Sequence, residues 1–128
     1  MSDKAVVRTE RAPAPFQGAP YSQAIVTGNL VFVAGQLGLT PDGSMVDGGI
    51  GAQTEQAMQN LAAILEEAGS GLDRLVKTTV FLTDLGDFAG MNEVYARHVG
   101  DAPPARSTVG IAALPSGALV EIEAIATM

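Results

Sequence analysis

Between Ala52 and Ala68 the apolar residues Ala57, Leu61, Ile64, Leu65 and Ala68 recur at i, i+4, i+7, i+8 and i+11, while Gln and Glu fill the other face. That is the stripe of a 3.6-residue helix, and Gly69 supplies its stop. A second stripe, Phe88, Met91, Tyr95 and Val99, predicts a helix that starts near Asp84 or Asp87. It ends at Gly100, before Pro103-Pro104. Elsewhere the period falls to two. "LDRLVKTTVFLTD" puts Val76, Thr78, Val80 and Leu82 on one face, with Leu75, Lys77, Thr79 and Phe81 on the other. "SQAIVTGNLVFVAGQ" gives two β-rich runs around Gly28-Asn29, a hairpin signal. "AVVRTE" (Ala5–Glu10) reads as an edge strand, and "PPARSTVGIAALPSGALVEIEAIA" (Pro103–Ala126) as a closing hairpin that turns at "LPSG". "RAPAPFQGAP" and "LTPDGSMVDGGIG" are loops, rich in proline and in glycine and aspartate respectively.

The order β, β, β, α, β, α, β, β predicts an α+β fold: one sheet with both helices packed on a single face. Its other face carries Val, Ala and Ile, so a second copy of the chain is expected to cover it. The chain of 128 residues reads as one domain, 1–128. Hydrophobic residues make up 47%, Trp and Cys are absent, and aromatics are only 5%, so the core has to be aliphatic. The absence of Cys excludes disulfides and thiol chemistry and suits a reducing, cytoplasmic setting. No apolar run approaches the roughly 20 residues that span a bilayer, and "MSDKAVVRTERAPAPF" has no signal-peptide core. A formal net charge of −7 disfavours nucleic acid and anionic membrane surfaces as partners.

Candidate chemistry is sparse. His98 is the single histidine and sits in the last turn of a helix, where an imidazole meets the negative end of the dipole; a structural role is the simpler reading. One His and no Cys leave no metal site to argue for. "DGGIG" lacks the lysine or the spacing of a phosphate cradle and reads as loop. The closing strands are different, because Arg106 opens the first while Glu121 and Glu123 sit inside the second. A solvated face with a weak ion pair is the plain alternative. Arg106, however, follows the stiff "DAPPA" and offers a forked donor suited to a carboxylate. With "LPSG" as a four-residue loop, Arg106 faces Ile125, and Glu121 lies about 13 Å further along the strand. The two then share a site only if a bulge shifts the register or a second copy supplies one of them.

Three blocks, "APYSQAIVTGNLVFVAGQ", "QNLAAILEEAGSGLDRLVKTTVFLTDLGDFAGMNEVYARHV" and "PPARSTVGIAALPSGALVEIEAIA", occur here in order and resemble the RidA (YjgF) family of reactive-intermediate deaminases nearly end to end. The resemblance implies a chorismate-mutase-like fold, a homotrimer with sites in the clefts between subunits, and no cofactor or metal. It implies hydrolysis of 2-iminoacids and their enamine tautomers, such as 2-iminobutanoate and 2-iminopropanoate, to 2-oxoacids and ammonia. By the same resemblance Arg106 holds the substrate carboxylate and Glu121 positions or activates water. Tyr21, Gly35, Phe88 and Asn92 line the pocket. The family often has Ser where this chain has Ala34, and Cys where it has Thr108, whose hydroxyl shares the strand face of Arg106 and can still bind substrate or water. A non-catalytic module for small carboxylates is the main alternative. A ribonuclease is disfavoured by charge, and a holdase would use apolar surface instead of the cleft.

Overall fold

Eight elements follow one another as the periodicities predict: β1 (Ala5–Val7), β2 (Ala24–Thr27), β3 (Leu30–Leu37), α1 (Ile50–Ala68), β4 (Leu75–Leu82), α2 (Phe88–Val99), β5 (Ala105–Gly110) and β6 (Val120–Thr127). They come from a computed structural model that describes residues 3–128; Met1 and Ser2, the start of the N-terminal segment read above, lie outside the described residues. The strands form one six-stranded sheet in the order β1-β2-β3-β6-β4-β5. Only β4 and β5 run parallel; every other neighbouring pair is antiparallel.

Both helices lie on one face of this sheet, and the core fills the space between. Val31 and Val33 of β3, Val80 and Leu82 of β4, and Val120, Ile122, Ala124 and Ala126 of β6 meet Ala57, Met58, Leu61, Ile64 and Leu65 of α1 and Met91 and Tyr95 of α2. Burying each of the larger side chains is worth about 1.5–3 kcal/mol. Helix α1 ends as its glycine predicts. Gly69 takes φ 90°, and the N–H groups of Gly69 and Ser70 reach the carbonyls of Glu66 and Leu65. The Gly28-Asn29 hairpin also forms, pairing Thr27 with Leu30.

The closing pair is not a hairpin. β5 lies at the sheet edge beside β4, and β6 lies on the far side of β4, between β4 and β3. Residues 111–119 carry the chain across the end of β4, where the N–H of Ile111 bonds the carbonyl of Leu82 and the N–H of Thr83 bonds that of Leu119. Arg106 therefore pairs with Thr78 instead of Ile125, which is flanked by Phe32 and Lys77. The physical reason lies in the strands. β6 buries four apolar side chains on its core face and gains a ladder on both sides, whereas β5 enters from two prolines and has no buried residue. "LPSG" does turn, but inside a longer loop: Pro115 to Ala118 closes a tight turn with Ser116 at φ 58° and Gly117 at φ 64°.

Five further residues depart from the pattern. The β4–β6 register shifts between Leu75 and Lys77, so Leu75 is buried and Val76 is 43% exposed, the reverse of their predicted faces. On α2, Val94 is buried, while Phe88, expected on the inner stripe, stands 43% exposed at the helix start. Gln53, counted with the polar face of α1, is buried; its side-chain oxygen accepts from the N–H of Leu119 at 2.8 Å. No helix among the described residues is long and apolar enough to cross a membrane.

Candidate functional site

The face of the sheet away from the helices carries Leu30, Phe32 and Val109, each 37–40% exposed, together with Lys77, Thr79, Glu121 and Glu123. At one end of it a cavity of about 340 Å³ is bounded by Tyr21, Gly35, Leu37, Pro115 and Glu121. Its wall is assembled by side chains that replace missing backbone bonds. The loop before β2 lacks N–H groups at Pro13, Pro15 and Pro20, and buried Gln23 compensates: its amide donates to the carbonyls of Thr9, Ala12 and Pro13, while its oxygen accepts from the N–H of Thr9. Asn60 of α1 donates to the carbonyls of Leu37 and Leu39 and fixes the opposite wall.

Glu121 reaches this cavity because of a β-bulge. Val33 pairs with Ala124 and Gln36 with Ile122, so Ala34 and Gly35 together oppose Glu123. The bulge turns Leu37 to the side of Glu121, its ladder partner. The Glu121 side chain lies directly on Gly35: a Cβ there would stand 2.6 Å from its Cδ. Burial, and then the negative charge of Glu123, raise the pKa of Glu121 above the ordinary carboxylate range. Nearby, the Phe16 N–H donates to the Tyr21 hydroxyl oxygen at 2.7 Å, which leaves the Tyr21 O–H proton for another acceptor.

The remaining predicted residues gather elsewhere. Arg106 points to the helix side of the sheet, where its guanidinium carbon lies 5.5 Å from the centre of the Phe88 ring and 4.9 Å from that of Tyr95. Among the described residues no carboxylate pairs with it. Asn92, between those rings on α2, has a buried side-chain oxygen without a hydrogen-bond partner, and the hydroxyl of Thr108 on β5 is in the same condition. A depression of about 500 Å³ beside Arg106 is lined by Asn92, Tyr95, Val99 and Pro104.

The predicted site is thus two half-sites. Arg106 adjoins Thr78 and Glu121 adjoins Phe81, three positions along β4. That separation is about 10 Å along the strand, and an odd number of residues puts the groups on opposite faces. Tyr21, Gly35 and Glu121 come together, as do Phe88, Asn92 and Arg106, with Thr108 two residues on along the Arg106 face of β5, and the two sets do not meet within one chain. His98 belongs to neither; it donates from Nε2 to Glu55 at 2.9 Å, joining α2 to α1 and lowering the pKa of Glu55, to which Gln59 adds. Sequence reasoning missed the part played by Tyr95, because an aromatic on an inner helical stripe reads as core.

One mixed sheet backed by two helices makes a small α+β domain, with a carboxyl in one cleft and, in another, a guanidinium that no carboxylate among the described residues pairs with. Residues 9–128 match the Endoribonuclease L-PSP family, and the chain belongs to this family, known also as YjgF/RidA. It is 52% identical over 124 residues to a RutC family protein of Pyrococcus abyssi, covering 96% of both chains. It is 49% identical over 126 residues to the chloroplastic Reactive Intermediate Deaminase A of Arabidopsis thaliana, covering 98% of this chain and 66% of that one. A 2-iminobutanoate/2-iminopropanoate deaminase of Mus musculus is 44% identical over 122 residues, with 94% and 89% covered. Among solved structures, RidA from an Antarctic Psychrobacter superposes with a TM-score of 0.92 at 44% identity, covering 97% of this chain and 99% of that one. E. coli TdcF with bound serine does so at 0.89 and 37%, covering 97% and 98%.

Proposed function

We propose that this protein hydrolyses small 2-iminoacids, such as 2-iminobutanoate and 2-iminopropanoate, to 2-oxoacids and ammonia, in pockets completed by a second copy of the chain. The observation that carries the reading is the division of the charged groups: a guanidinium without a carboxylate on edge strand β5, and a raised-pKa carboxyl in a cavity on the opposite face. Laying one copy's β5 edge against another's bare face brings the two together. The names of the plant and mouse relatives support the substrate class. A homotrimer is the assembly we infer.

In such a pocket Arg106 takes the substrate carboxylate in a forked pair, which sets the imine carbon beside Glu121. Glu121 accepts a proton as a water oxygen bonds to that carbon, and the C=N π pair moves to nitrogen. The proton held by Glu121, with one from the new hydroxyl, reaches nitrogen as the C–N bond breaks, leaving a C=O group and ammonia. An imine is already electrophilic, so no stronger nucleophile is required. Tyr21, with its oxygen occupied by Phe16, has its proton free to hold the water or the leaving nitrogen.

The test couples a threonine dehydratase to semicarbazide trapping. Wild type should suppress semicarbazone formation from 2-iminobutanoate, while Arg106→Ala and Glu121→Gln should not. An unchanged trapping rate with wild type, for both threonine- and serine-derived imines, defeats the reading. A non-catalytic carboxylate-binding role is the second reading, favoured by the bound serine of TdcF. It requires Glu121→Gln to bind 2-oxobutanoate as wild type does and wild type to lack turnover. Cleavage of RNA, which the family's name suggests, fits poorly with a net charge of −7.

A further inference from the structure

Thr78 is fully buried on β4, in line with Val80 and Leu82, where a valine would fill the same space without a hydroxyl. The hydroxyl has one partner, the Tyr95 hydroxyl at 2.7 Å, and Tyr95 is itself only 5% exposed. Thr78 is also the residue directly beside Arg106 in the β4–β5 ladder. The Tyr95 ring lies 4.9 Å from the Arg106 guanidinium carbon, closer than the exposed Phe88 ring at 5.5 Å. Three residues therefore close a triangle with a backbone ladder, a hydroxyl pair and a cation–ring contact as its sides. We propose that Thr78 and Tyr95 are positioning residues for Arg106: their hydroxyl pair locks the Tyr95 ring against the guanidinium and so fixes the direction in which its forked donor points.

The physical need for such a device is plain. Arginine is long and loses rotamer freedom when it anchors a ligand, and its usual restraint, a carboxylate, would compete with the substrate. Aromatic faces hold a guanidinium without occupying its N–H groups. Phe88 and Tyr95 are two helical turns apart on α2, so the guanidinium spans the position of Asn92 between them. Phe88 is 43% exposed and no partner among the described residues pins its far end, whereas the Tyr95 ring is held by the helix backbone at one end and by Thr78 at the other. A core filler would need neither hydroxyl. The functional consequence rests on the reading of Arg106 as the carboxylate anchor; the geometric claim does not.

The experiment follows the Arg106 Nε–Hε signal in protein labelled with 15N-arginine, identified by its absence in Arg106→Lys. In wild type the signal should be rigid and displaced by the rings. In Tyr95→Phe and in Thr78→Val, its heteronuclear NOE should fall and its shift should move toward that of a free arginine. The double variant should go no further than either single one, since all three break the same bond. In the trapping assay the single variants should raise KM for 2-iminobutanoate about three- to tenfold, the scale of one lost cation–ring contact. Their kcat should stay within about twofold of wild type. An Arg106 signal as rigid and as displaced in both single variants as in wild type overturns the proposal, and so does a lower Tm with the signal and KM unchanged. If wild type lacks turnover, or Arg106→Ala keeps the wild-type KM, the anchor reading fails and the NMR result still decides the geometry.

Discussion

At Glu121 the fold places a carboxylate where its charge is disfavoured, by burial first and by Glu123 second. A folded-state pKa above the unfolded one means that this group's stabilising contribution is present below the unfolded pKa and is lost as pH rises through the folded value. Glu121→Gln should therefore raise Tm at neutral pH while removing activity. The Tm gap over wild type should widen from pH 4 to pH 8, a comparison that thermal melts at each pH settle. The same carboxyl makes Gly35 an instructive position. An alanine there meets the far end of a flexible side chain, not backbone, so Gly35→Ala should fold with little loss of Tm. It should displace the carboxyl by about an ångström, enough to lower kcat about a hundredfold, as steady-state kinetics would record.

Among the elements, the end of β3 hangs on Asn60, whose two bonds hold the carbonyls of Leu37 and Leu39 inside the fold. Asn60→Ala strands both carbonyls and leaves a small void, a cost of about 2–4 kcal/mol, measurable by urea unfolding. This scale also separates what the sequence made legible from what it did not. Helix α1 was readable because Ala57, Leu61, Ile64 and Leu65 keep strict helical spacing up to a glycine that can adopt φ 90°. A period of two grouped Arg106 with Thr108 and Glu121 with Glu123 on their own strands. The hairpin pairing of Arg106 with Ile125, however, put both charges on one face of the sheet, whereas they lie on opposite faces. Periodicity, however, assigns faces and not neighbours, so nothing in "LPSG" distinguished a hairpin from a loop that carries β6 over the end of β4. The bulges at Val76 and at Ala34-Gly35 were equally hidden, since each depends on what the partner strand offers. The division of the site follows from strand order, which is why Arg106 and Glu121 could be picked out singly while their arrangement could not.

For the whole molecule, the bare face is the dominant feature. One cross-strand row runs Ile25, Phe32, Ile125 and Lys77, and another Leu37, Glu121, Phe81 and Val109, so apolar surface and the acidic cavity are continuous. A patch of this character is normally covered by another copy. Phe32→Glu should shift the protein from an oligomer to a monomer in light scattering, with loss of imine hydrolysis and retention of the far-ultraviolet circular dichroism spectrum. A wild type that is already monomeric at micromolar concentration would remove the basis for a shared pocket.

Strand β4 flanks Arg106 on one side and Glu121 on the other, yet in the proposed assembly the two would belong to different pockets. Two inactive variants should then complement each other. Mixed assemblies of Arg106→Ala and Glu121→Gln subunits, refolded together in equal amounts, draw about one pocket in four with an intact arginine from one chain and an intact glutamate from its neighbour. Recovery of about a quarter of wild-type activity from two preparations that have none would make inactivity of this protein a property of pairs of chains, so that a defective copy could be rescued by a differently defective one.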